Sequence, residues 1–164
     1  MDSTQVSSVP GLRLRLERPE DEGFQEDLYG TTRSEELEAA GWPGEIRAGF
    51  VAQQFRAQSV YYRRVFVGAD WWIVEYEGRS VGRFIVHQAA DHLRLVDLSL
   101  LPDHRGRGMG TALLRWLLED ARIRSLPVRL SAFLGSRIAG HYRRLGFQES
   151  QNDGVRAVME WRPA

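Results

Sequence analysis

Leu98-Ser99-Leu100-Leu101-Pro102-Asp103-His104-Arg105-Gly106-Arg107-Gly108-Met109-Gly110-Thr111 is the stretch whose reading decides the fold. To its left, an apolar run stops at Pro102, as a strand does when the ladder loses a donor. To its right, Leu113, Leu114, Leu117, Leu118 and Ala121 recur at helical spacing. Three glycines at alternate positions and two arginines join the two halves. A strand, a Gly/Arg turn and a helix start together make an anion site. Glycine lets backbone approach a ligand, and the first amides of a helix have no intrahelical partner. The helix dipole and a nest of successive N–H groups add positive potential. The expected ligand is a phosphate.

Two common phosphate loops are excluded. A P-loop needs Gly-Lys-Ser/Thr, and all 22 basic residues of this chain are arginine. The dinucleotide fingerprint needs Gly-x-Gly-x-x-Gly, and position 113 is Leu. What the stretch does carry is Arg-x-x-Gly-x-Gly, on Arg105, Gly108 and Gly110, preceded by Leu-Leu-Pro-Asp-His. This closely resembles the coenzyme A pyrophosphate loop of the GNAT N-acetyltransferase superfamily. About thirty residues further on, His141-Tyr142-Arg143-Arg144-Leu145-Gly146-Phe147 resembles that family's Leu-Tyr-x-x-Leu-Gly-Phe segment.

The rest of the chain reads as one domain around this loop. Residues 1–10 are small and polar and are expected to be a flexible tail, with a domain over 11–164. Leu12, Leu14 and Leu16 alternate as a half-buried strand. Pro19-Glu20-Asp21-Glu22 opens a helical segment that Gly30-Thr31-Thr32 is placed to bend or break. Gly41-Trp42-Pro43-Gly44 is a turn into a second helix ending near Tyr61-Tyr62. Strands are expected over 71–77, 80–88 and 92–101, a helix over 109–124, and a strand over 128–134. A short helix capped by Ser136 follows, then a last strand through Val155, Ala157, Met159 and Trp161. The fold class is α/β: a single GNAT-like domain with a mixed, mostly antiparallel central sheet flanked by helices.

Composition narrows the classes. Hydrophobic residues at 43% and charged residues at 27% fit a soluble globular chain long enough for one core. No apolar run approaches the ~20 residues of a membrane helix, and no signal peptide is recognisable, so a cytoplasmic protein without a membrane partner is expected. Twenty-two acidic residues balance the arginines, which argues against a nucleic-acid partner. The chain has no cysteine, which removes disulfides and thiol nucleophiles, and its four histidines show no metal spacing. Trp42 or Trp71-Trp72, if exposed, would mark a homodimer interface.

The resemblance implies acetyl-CoA as co-substrate, no metal, and transfer of the acetyl group to an unidentified amine acceptor, by direct attack in a ternary complex. It implies that Leu98, Ser99 and Leu100 pair with the pantetheine arm, a backbone N–H near Leu100 supporting the oxyanion. Arg105, Gly106, Arg107, Gly108, Met109, Gly110 and Thr111 would then cradle the pyrophosphate, and Tyr142 would protonate the departing thiolate. A phenol, with its reference pKa of ~10, suits that role at neutral pH. The family often has Asn near the start of the second helix, where this chain has Gly135 and Ser136; Ser136 is expected to supply part of that cofactor contact. Asp97 is the first candidate for a general base, with orientation of a neighbour as its alternative role. Glu75 and His87 rank behind it, and ordered water is a further route for the proton. Acceptor contacts are expected from Tyr29, Arg33, Trp42, Gln54 and Phe55. The reading from another class is a catalytically inactive acyl-CoA-binding or regulatory module of the same fold.

Overall fold

The computed structural model describes residues 3–164. Eight strands form one sheet in the order β1-β2-β3-β4-β5-β6-β8-β7. They are β1 (Ser3–Gln5), β2 (Leu12–Leu16), β3 (Asp70–Tyr76), β4 (Arg79–Gln88), β5 (Leu93–Leu100), β6 (Val128–Phe133), β7 (Gln148–Asn152) and β8 (Arg156–Trp161). Among the described residues, only β5 and β6 run parallel. The helices are α1 (Glu22–Thr32), α2 (Ser34–Ala40), α3 (Gly44–Val65), α4 (Met109–Arg124) and α5 (Arg137–Arg144). Among the described residues, no helix is long and apolar enough to cross a membrane.

Both faces of the sheet are covered. The period of two along each strand sends Val74, Phe84, Leu95, Val128 and Met159 into a core with α4 and α5, where Leu113, Leu114 and Leu117 are fully buried. Ile73 and Ile85, one residue out of phase, face the other way, where α1 contacts α3, β4 and β5. The helical stripe after the Gly/Arg loop is therefore the inner face of α4. Burial of such a stripe contributes about 1.5–3 kcal/mol per large side chain.

Two strands lie outside the sequence expectations. Residues 3–10 are not a simple tail: Thr4 pairs with Leu14, and Val6, only 2% exposed, donates its N–H to Leu12. A three-residue polar strand has no alternation to reveal it, and its partner β2 supplies the ladder. Met1 and Asp2 lie outside the described residues. Strand β7 is exposed at every position and equally lacks a hydrophobic signal; its pairing with β8 makes it a strand.

On the α1 side, Arg15 holds Asp21 in a two-pronged pair at 2.8 and 2.7 Å, and also reaches Glu75 at 3.2 Å. The Arg15 guanidinium, with the Arg18 backbone N–H, holds the Asp21 carboxyl below its ordinary value. A lowered carboxyl contributes stability that is present above the unfolded value, ~3.9, and is lost as pH falls through the folded one. Asp21→Asn is expected to cost about 2 kcal/mol at pH 7. Denaturant melts of both proteins should show that difference shrinking below pH 4.

Candidate active site

The splay of two strands makes the site. Strand β5 pairs with β6 only at Leu93–Val128 and Arg94–Arg129 and then diverges, leaving one edge of β5 without a ladder partner. On its other edge it stays paired with β4 as far as Leu100–Gly82, with Val96 bulged out between Leu95 and Asp97. Leu101 donates to Val81, so alternation turns the Leu100 amide toward the open edge. The Leu100 carbonyl on that edge accepts from Arg105 Nε at 2.9 Å.

A groove of about 860 Å³ runs along this edge and over the loop. Leu98, Ser99 and Leu100 form one wall, and Arg105, Gly106, Gly108, Gly110 and Thr111 form the floor at the start of α4. Gly106 and Gly108 have φ of 69° and 85°, a left-handed region in which an L side chain is strained. Those angles turn the chain so that α4 begins at Met109 with its first amides beside the groove. From α5, Arg137, Ile138, His141, Tyr142 and Arg144 complete the lining. His141 Nε2 sits 3.2 Å from Thr111 Oγ1, which ties α5 to the start of α4.

A second cavity, about 270 Å³, continues inward from the first. The two share Thr32, Leu98, Ser99 and Tyr142, so a group bound along the outer groove would present its end to the inner one. Arg83, 3% exposed, donates to Asp97 Oδ2 through Nε and Nη2 at 2.8 and 2.5 Å, and Nη2 also donates to Gln58. Ser99 donates its hydroxyl to Asp97 Oδ1 at 2.9 Å. Both Asp97 oxygens are thus engaged. Burial and the nearby Asp97 charge push the Tyr142 phenol up to about 12. The Tyr62 phenol, in the same cavity, is raised to about 12 by burial and by Asp97. Both remain protonated at neutral pH. Tyr142 makes no side-chain hydrogen bond among the described residues, and its ring packs on Phe147, 5.7 Å between centroids.

Several residues singled out from sequence lie elsewhere. Arg107 turns away to lie 5.4 Å over the Tyr76 ring, and the Met109 side chain is buried in the core. Ser136 caps α5, accepting from the Ala139 N–H and donating to the Phe133 carbonyl, and does not line the groove. Of the early-helix residues, Tyr29 lines the inner cavity; Phe55 is buried behind it, 6.0 Å away ring to ring. Arg33 donates to the Tyr29 hydroxyl and Glu36. Trp42 packs edge-on against Phe50, and Gln54 lines neither cavity. Glu75 is held by Arg15, and His87 contacts the Val67 carbonyl. Trp71 is buried, with Arg63 3.6 Å over its ring, so it marks no exposed interface.

The sequence reading missed Thr32, Gln58, Tyr62, Arg83, Ser131 and Arg156 in the inner cavity. Arg83 had a signal, a lone charge inside the apolar run Val81–Val86. Arg137, His141 and Arg144, missed in the outer groove, also had one: spacings of four and three put them on one helical face. The others come together only when α1, α3 and β8 meet.

A family model described as an acetyltransferase (GNAT) domain matches residues 67–149, just over half of the chain. No curated protein matches its sequence. Among solved structures, the PaiA N-acetyltransferase from Thermoplasma acidophilum in complex with coenzyme A is 15% identical. The match covers 92% of this chain and 98% of that one, with a TM-score of 0.69. A GCN5-related N-acetyltransferase from Rhodopseudomonas palustris is 22% identical over 91% of this chain and 94% of its own, with a TM-score of 0.64. A GNAT family acetyltransferase from Elizabethkingia anophelis, with acetyl-CoA bound, is 10% identical over 63% and 82%, with a TM-score of 0.55.

Proposed function

Because the chain belongs to the GNAT acetyltransferase family, we propose that it transfers an acetyl group from acetyl-CoA to a primary amine, by direct attack in a ternary complex. The observation that carries this reading is the junction of the two cavities at Ser99 and Tyr142, beside the open edge of β5. A donor arm and an acceptor amine entering from opposite sides would meet there.

The outer groove fits coenzyme A on its own geometry: a cradle of backbone amides at the start of α4, and Arg137 and Arg144 lining the same groove. Acetyl-CoA supplies the acetyl group as a thioester. The open-edge groups of Leu98 and Leu100 pair with its arm, and the Leu100 N–H supports charge developing on the carbonyl oxygen. Arg105 acts here mainly by bracing the Leu100 carbonyl. As the amine nitrogen bonds to the acetyl carbon and the C–S bond breaks, Tyr142 gives its proton to the sulfur. The proton lost by the amine passes to water and restores the phenol. Asp97, held by Arg83 and Ser99, orients the strand rather than serving as the base.

Thiol release by the purified protein with acetyl-CoA and a panel of amines tests this reading. Coenzyme A binding with no thiol release on any amine would favour an inactive acyl-CoA-binding module instead. Gly110→Glu is a specific check on the cradle. A Cβ there meets only Leu100 Cδ1, at 3.9 Å, and a carboxylate suits a helix start, so the fold should tolerate it. Repulsion of the pyrophosphate should weaken coenzyme A binding at least about tenfold by calorimetry.

A further inference from the structure

We infer that the acceptor is a small amine that also bears a carboxylate, of the amino-acid type, with Arg156 and Ser131 receiving the carboxylate. The inference rests on the acetyltransferase reading above and concerns the far wall of its inner cavity.

Three charged side chains line that cavity: Arg83, Asp97 and Arg156. Arg83 and Asp97 offset one another, which leaves the Arg156 guanidinium as the uncompensated charge. It makes no ion pair among the described residues. Its acidic neighbour Asp153 accepts the Arg156 backbone N–H instead. The guanidinium lies 4.5 Å over the Phe133 ring, which positions its plane while leaving its donors to the cavity and solvent. Ser131, from the adjacent strand β6, lines the same cavity.

Behind Ser131 stands a second guanidinium. Arg94 Nη2 donates to Ser131 Oγ at 2.8 Å, so the serine hydrogen remains free to donate to a ligand. Arg94 forms no ion pair among the described residues, and its buried Nε has no hydrogen-bond partner. Burial, and then the like charges of Arg129 and Arg156, pull the Arg94 guanidinium down from its usual value. Arg129 has its own carboxylate, Glu160, at 2.7 Å. Arg94, part-buried beside Ser131 and without an acidic partner among the described residues, is an electrostatic cost that a bound anion would offset, and Arg156 brings a second guanidinium to the same cavity.

Size and placement decide which anion-bearing amine fits. The inner cavity, about 270 Å³, is at the small end of ligand sites. An amine at the Ser99–Tyr142 end and a carboxylate at the Ser131–Arg156 end is the arrangement of a short amino acid. The hydroxyls of Tyr29 and Tyr62 along the walls supply further hydrogen bonding.

The test compares L-amino acids with their own carboxamides, which keep the amine and remove the negative charge. In thiol-release assays the carboxylate should exceed its carboxamide at least about tenfold in kcat/KM, the value of one charge-assisted hydrogen bond. Arg156→Gln, at an exposed position, should shrink that ratio at least fivefold, on the order of one such bond, mainly through the amine's KM. Arg156→Lys should restore part of it. Calorimetry of the CoA-loaded protein with the same pairs reads the preference without turnover. Equal use of the two members of each pair, or a ratio unmoved by Arg156→Gln, overturns the inference while leaving acetyl transfer intact. Selective amino-acid binding without thiol release overturns acetyl transfer and leaves the carboxylate site standing.

Discussion

Gly82→Ala is expected to lower stability by about 2–4 kcal/mol and turnover by about 10²-fold. A Cβ on this buried β4 residue would lie 2.4 Å from the Ser99 carbonyl oxygen and 2.7 Å from Leu100 Cδ2. Neither can yield cheaply. The Ser99 oxygen belongs to the β4–β5 ladder, and Leu100 packs in the core beneath the groove. The strands would have to part by up to about an ångström at the residues whose open edge lines the outer groove, a displacement large enough to misalign a reacting group. Thermal melts should show a fall of about 5–15 °C. Steady-state assays at a temperature where the variant is folded should show the loss mainly in kcat. Wild-type stability and turnover together would mean that β5 has slack at this point, contrary to the contact.

Tyr142→Phe is expected to cut kcat by about 10²-fold or more while changing the KM for acetyl-CoA less than about threefold. The ring is buried against Phe147, and Phe keeps that packing. The hydroxyl has no protein hydrogen-bond partner among the described residues, so its removal orphans nothing and should leave the melting temperature nearly unchanged. A loss confined to kcat therefore reads proton donation. Equal losses in kcat and in acetyl-CoA affinity would point to a packing role. Because burial and Asp97 raise the phenol to about 12, the wild-type rate should show no Tyr142 limb below about pH 10. Its neutral form is preferred in the fold, so this phenol's contribution to stability is full below pH 10 and declines as pH rises toward 12.

Legibility in the sequence followed the strength of local periodicity. Helix α4 was readable to its bounds, because five apolar residues keep a helical stripe between Gly108 and Ser125. The Ser136 cap of α5 was readable for the same local reason: a hydroxyl three residues before an amide it can accept from. Strands β1 and β7 were not, because short polar strands owe their existence to a partner rather than to their own pattern. The β5 and loop side of the outer groove was legible, since one continuous stretch builds it, whereas of the α5 side only Tyr142 was. Arg107 and Ser136 were assigned to the groove by the family resemblance, yet Tyr76 and the α5 amides claim their side chains.

The strand-and-loop side of the outer groove follows from the sequence alone. The strand stop, the left-handed glycines, the helix start and Tyr142 are local features, and local features depend on residues close together in the chain. The inner cavity follows only from the tertiary structure. The Arg83–Asp97–Ser99 network, the approach of β5 to Gly82 and the pair Arg94–Arg156 near Ser131 join residues up to 62 positions apart. Which arginine finds a carboxylate, and which is left without one, depends on how helices and strands pack across the sheet. No pattern within a single element records that outcome.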